Sequence, residues 1–128
     1  MRNTINIKGK QHRIFSIHAF GRDIKVILAK GNYSNDSSLA IKVYEIENRN
    51  ELFHLEPFGM LTVNMGVPVG DNAQCIKTWS ENEEWAEALA DKIGDCAGYS
   101  FTNGYVKAPL YIFKQDVLAQ LAFINDIR

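Results

Sequence analysis

Polar and apolar residues alternate at period two through most of the first half of the chain. Ile5 and Ile7 alternate within 4–8, and Gly9 turns the chain. Phe15, Ile17 and Ala19 share one side of a strand over 13–20. Gly21-Arg22-Asp23 then turns into Ile24, Val26 and Leu28. Period two is the spacing of a strand with one buried face, so each run predicts a strand. The polar stretch Gly31 to Ser38 reads as a loop, followed by Leu39, Ile41 and Val43 facing inward. Asn48-Arg49-Asn50 turns into a short strand over 52–56. Leu61, Val63 and Met65 alternate with Thr62 and Asn64 between the breakers Pro57-Phe58-Gly59 and Gly66-Val67-Pro68. That stretch predicts the central strand, with Thr62 and Asn64 on its polar face. Short connections join antiparallel neighbours, so the first half reads as a meander.

The period changes after a short strand over 74–78. Ser80-Glu81-Asn82-Glu83 has the pattern of a capping box, and Trp85, Leu89 and Ile93 recur at helical spacing up to Gly94. A helix over about 81–93, capped by Gly94 in the left-handed region, follows from these signals. Asn103-Gly104 predicts a type I′ hairpin turn. Ala108 to Phe113 is a strand in which Pro109 marks an edge or a start. Val117, Leu118, Leu121, Ala122 and Ile124 predict a C-terminal helix over about 115–124, lying on one face of the sheet. The expected class is α+β: an antiparallel meander of about six or seven strands with two helices.

The 128 residues suit one domain spanning 1–128, and no linker or repeat interrupts them. Apolar residues make up 46% and charged residues 23%, an ordinary globular balance. No apolar run exceeds the four residues of Val26 to Ala29, too few to cross a bilayer, and the N-terminus has no signal-peptide core. A cytoplasmic location without membrane contact is the expectation. Cys75 and Cys96 match no metal spacing and read as buried free thiols. His12, His18 and His54 have no partner at a ligand spacing, so no metal site is expected. Phosphate loops, nucleophile elbows and zinc-protease motifs are missing from the sequence, so neither an enzyme nor a cofactor is expected.

The net charge of −1 conceals two segments. Residues 1–30 carry seven basic side chains against Asp23, and residues 67–104 carry seven acidic ones against Lys77 and Lys92. The acids Glu83, Glu84, Glu87 and Asp91 fall on one side of the expected helix, opposite Trp85, Leu89 and Ile93. A solvated helix exterior explains such a row; imitation of a phosphate backbone is the functional reading. The basic side chains Lys8, Lys10, Arg13, Arg22 and Lys25, with Tyr33 and Tyr44 to stack on bases, give a nucleic-acid-binding alternative. Thr62 and Asn64 read either as a register-fixing pair or as a ligand-facing row.

Four segments carry a resemblance: Leu39 to Val43, Pro57-Phe58-Gly59-Met60-Leu61-Thr62-Val63-Asn64, Thr78 to Asn82, and Gly104 to Tyr111. In this order they resemble an uncharacterised domain-of-unknown-function family of small proteins from bacterial conjugative elements, plasmids and phages. Asp95-Cys96-Ala97 departs from that family's glycine-rich connection. The resemblance implies an accessory protein of mobile DNA and carries over no site residue. By analogy with small proteins of that origin, it implies macromolecular binding. The partner would be a host protein or ribonucleoprotein complex, and the action inhibition of a host defence complex of the anti-CRISPR or anti-restriction type. Nucleic acid is the alternative partner.

Overall fold

A computed structural model describes residues 3–49 and 52–127. The chain opens with a hairpin of β1 (Thr4–Ile7) and β2 (Lys10–Arg13), which forms a two-stranded sheet by itself. β3 (Phe15–Ala19) and β4 (Arg22–Asn32) form a second hairpin. β5 (Leu39–Arg49) and β6 (Leu52–Met60) continue this antiparallel sheet. β7 (Thr62–Val63) and β8 (Ala73–Ile76) start another sheet. A 3-10 turn (Ser80–Asn82), α1 (Ala86–Asp91), β9 (Gly94–Asn103) and β10 (Val106–Phe113) follow. The chain ends with α2 (Gln115–Gln120), β11 (Ala122–Phe123) and a 3-10 turn at Ile124–Asp126.

The α+β class stands, but the strands lie in three sheets rather than one meander. The five-stranded sheet runs β11-β4-β5-β6, with β3 also paired to β4. The four-stranded sheet runs β7-β8-β10-β9. The reason is visible in β4 and β5, which are apolar on both faces. Ile24, Val26, Leu28, Ile41 and Val43 enter the main core with Leu61, Ile76, Trp85, Leu89, Phe113 and Leu118. Ile27, Ala29 and Tyr44 enter a second core under Ile5, Ala122, Ile124 and Ile127. Two apolar faces need two covers, because each buried Leu or Ile contributes about 1.5–3 kcal/mol. The first hairpin and the C-terminal segment supply the second cover.

The expected central strand shrinks to the two residues of β7, yet it joins the sheets. The Leu61 amide donates to Ile41 O in the five-stranded sheet at 2.9 Å. Leu61 O accepts from Lys77 N, just past β8, at 3.0 Å. Leu61 and Met65 are buried as the alternation requires.

The strand expected over 13–20 divides at Ile14, so that β2 and β3 belong to different sheets. Its turn into β4 is Phe20-Gly21, not Gly21-Arg22-Asp23. Asn48 and Arg49 belong to β5, and Asn50 lies outside the described residues. The helix expected over 81–93 is broken. Asn82, fully buried, donates from Nδ2 to Met60 O at 2.6 Å and Lys77 O at 3.0 Å. This ties the first turn to the sheet, and the α-helix begins only at Ala86, after Trp85 with its non-helical φ of −135°. No capping box forms: Trp79 occupies the cap position and Ser80 has φ 59°. Gly94 is no helix cap but the first residue of β9; a Cβ there would lie 2.6 Å from Ile112 O. The C-terminal helix stops at Gln120 because Leu121 is extended (ψ 148°) and the chain pairs in parallel with β4. The β9–β10 loop is Gly104-Tyr105 with a positive φ at Gly104 alone, the pattern of a type II′ turn rather than I′.

Candidate interaction surface

The acidic segment lies against the hairpin tip of β3 and β4. Trp85, Leu89 and Ile93 are buried, so Glu83, Glu84, Glu87 and Asp91 remain outside, and all four are exposed. Only Glu87 and Asp91 belong to α1; Glu83 and Glu84 sit in the turn before it, so the row is not one continuous helical stripe. Glu84 Oε1 accepts the Phe20 amide at 3.2 Å. Asp91 Oδ1 accepts the Tyr111 hydroxyl at 2.7 Å, which ties that exposed carboxylate to β10. Glu81 bonds Lys77 at 2.5 Å; Lys77 and Ser80 together draw its carboxyl down to about 2.

Phe20 is the residue that the sequence patterns did not single out. It and Gly21 fill a two-residue turn with φ 56° and 75°, as a type I′ turn requires. Bulky side chains rarely occupy that region, where asparagine or glycine is usual. The ring is nonetheless 52% exposed. Its centroid lies 6.3 Å from that of Phe58, which sits edge-on to Trp85 at 5.1 Å. The result is an aromatic stack running from the core to the surface, with Glu84 bonded to its outer member. A Phe-Gly pair between two alternating runs was the available signal.

Thr62 and Asn64 separate. Thr62 is buried; its Oγ1 accepts the Ile41 amide at 3.0 Å and lies 3.0 Å from the Tyr33 hydroxyl. Burial pushes the Tyr33 phenol upward, against the smaller effect of that contact. Asn64 is half-buried. Its Nδ2 donates to Asn35 Oδ1 and Asp36 Oδ2, both at 3.1 Å, and its Oδ1 accepts the Gly66 amide at 2.9 Å. Both side chains tie the 33–38 loop and the 64–66 chain to the sheets.

The cations do not form one stripe. Arg22 and Lys25 point to opposite faces of β4 by the alternation of a strand. Arg22 makes two bonds to the Glu45 carboxylate, at 2.7 and 3.1 Å. Lys25 donates to Ser16 Oγ at 2.6 Å. Arg13 lies over the Phe15 ring at 4.5 Å, and Lys8 lies 3.8 Å from Asp126. Tyr44 is buried and Tyr33 is half-buried, so neither presents an open ring for stacking.

His12 is buried with Nδ1 on Gln120 O at 2.9 Å, and His18 meets Asp23 at 2.9 Å. Cys75 is buried and its thiol is raised by desolvation; Cys96 is exposed, contrary to expectation, because the start of β9 is an uncovered sheet edge. Among the described residues no three His, Cys, Asp or Glu side chains gather as a metal set. No described helix is long and apolar enough to cross a membrane. No protein-family model, curated protein or solved structure matches the chain.

Proposed function

We propose that this chain is a binding protein that occupies a basic, nucleic-acid-binding surface on a macromolecular partner. In the mobile-element context implied by the sequence resemblance, that partner is a host defence complex and the outcome is its inhibition. The observation that carries the reading is Phe20, held half-exposed at φ 56° with Glu84 bonded to its amide. A bulky residue kept in a disfavoured conformation points to a use beyond stability. Aromatic anchors dominate binding energy in protein interfaces, and carboxylates beside one would steer it toward a cationic partner. Glu83 and Glu87 add to the same acidic character. The divided cations, with Arg22 committed to Glu45, favour this reading over nucleic-acid binding by the chain itself.

The test uses purified defence nucleases, one RNA-guided and one of the restriction type, on a sensor surface over a salt series. Binding to one of them should weaken as salt rises and should be displaced by competing DNA. Replacing Phe20 with Asn should weaken it by about tenfold, the loss of about 1.4 kcal/mol expected of an anchor. No retention at low salt by either, or retention indifferent to both Phe20→Asn and the acidic substitutions, would remove the proposal.

A further inference from the structure

The first hairpin is not hydrogen-bonded into a larger sheet, and a cleft of about 380 Å³ separates it from the C-terminal segment. That volume is within the range of small-molecule sites. Ile5 pairs with His12 and Ile7 with Lys10, so His12 and Lys10 share the inner side of the hairpin. Both line the cleft, with Gln120 and the chain around β11 opposite. His12 is only 8% exposed, and its Nδ1 lies 2.9 Å from Gln120 O. A carbonyl can only accept, so Nδ1 carries the proton in that bond. Nε2 has no protein partner among the described residues, yet it is not sealed from solvent. Lys10 likewise has no partner among them. Lys8 and Asp126, 3.8 Å apart at the cleft, offset one another. This leaves the Lys10 ammonium without a carboxylate partner among the described residues and the His12 Nε2 open to the cleft. Phe123, 51% exposed, also lines the cleft, with Lys30 Nζ 5.0 Å over its ring, and Ile7 and Ala119 add apolar surface.

We infer that this cleft binds a small organic oxyanion, a phosphate monoester or a carboxylate with an apolar body. Lys10 and His12 receive the anionic group, and Ile7 with Ala119 and the edge of Phe123 receives the body. A charge-assisted bond to Lys10 Nζ is the strong kind available to an oxyanion, and the His12 ring forms the other side of its seat. The site uses no residue of the acidic face, so it stands or falls independently of the proposed function. It also gives a use to the basic character of the first residues of the chain.

The experiment is an NMR titration of the isotope-labelled protein with phenyl phosphate, benzoate, inorganic phosphate and phenol. Phenyl phosphate or benzoate should give saturable shifts at the His12 ring and at the amides of Gln11, Gln120 and Ala122. Inorganic phosphate, lacking the body, should bind more weakly at the same residues. Lys10→Gln, an exposed change that leaves the fold intact, should weaken the aromatic anion by about tenfold, an ordinary loss for a charge-assisted contact. His12→Gln can still donate to Gln120 O and should weaken it similarly. Shifts that do not saturate, binding untouched by Lys10→Gln, or phenol binding as well as its phosphate would each overturn the inference. The last result would mark the cleft as an apolar crevice.

Discussion

The Tyr111 hydroxyl, on β10, donates to Asp91 Oδ1 at the end of α1 across 2.7 Å. The bond fixes the helix end to the four-stranded sheet and makes Asp91 a structural carboxylate within the acidic group, of which Glu84 is also bonded, to the Phe20 amide. Burial first, then this bond, and then the charges of Asp91, Glu87 and Cys96 push the Tyr111 phenol far above its ordinary value.

Alkaline stability follows from that shift. Unfolded tyrosines ionise near pH ~10, while native Tyr111 keeps its proton. A raised native value contributes stability that is complete below pH ~10 and is lost as pH climbs toward the native value. Tyr33, also raised, acts in the same sense. Urea unfolding at pH 8 and pH 11 should show a marked loss at the higher pH. Tyr111→Phe should cost about 1 kcal/mol at pH 8 and flatten the alkaline decline. An equally steep decline in the variant would place the effect elsewhere.

Thr62→Val keeps the shape and removes Oγ1. It strands the Ile41 amide, which is bonded to that oxygen in a buried setting, and deprives the Tyr33 hydroxyl of its contact. The expected cost is about 1–3 kcal/mol, the range for an unsatisfied buried donor, with Thr62→Ser much milder. Asn64→Ala, on a half-buried residue, should cost about 1 kcal/mol or less. Chemical denaturation of the three variants checks the order.

Gly94→Ala puts a Cβ 2.6 Å from Ile112 O and 2.9 Å from the Phe113 ring. The first neighbour is backbone and cannot turn away, so β9 and β10 must separate locally. The variant should lose about 1–3 kcal/mol, as overpacked sites do. A melting temperature equal to that of the parent would contradict the close approach.

Glu83→Gln, Glu84→Gln and Glu87→Gln together should leave stability within about 0.5 kcal/mol, because all three side chains are exposed. Glu84→Gln keeps a side-chain oxygen for the Phe20 amide. Phe20→Asn relieves a left-handed strain of about 1–2 kcal/mol but loses a ring contact of about 0.5–1.5 kcal/mol, so its thermal midpoint should hardly move. If either variant melts much earlier than the parent, that surface has a structural role and its binding data lose their meaning.

Alternation of side chains is enough to identify one buried face of an element. Phe15, Ile17 and Ala19 on β3, and the row Trp85, Leu89 and Ile93, need only spacing. Exposure of Glu83, Glu84 and Glu87 is legible for the same reason: carboxylates flank an apolar row that must turn inward. Spacing does not say what covers a face. Ile27, Ala29 and Tyr44 need a second cover, and it takes the packed chain to assign it to the first hairpin and the C-terminal segment. That assignment makes three sheets instead of one and leaves the His12 cleft between the covers. Hydrogen-bond partners distant in sequence are equally illegible. Alternation turns Thr62 outward, whereas the Ile41 amide and Tyr33 hydroxyl take its oxygen into the fold. The long helix over 81–93 yields to the ties of Asn82 to Met60 and Lys77, because two buried bonds outweigh the few tenths of a kcal/mol per residue that favour regular helix. Local propensity proposes an element; contacts across the chain set its length and its neighbours.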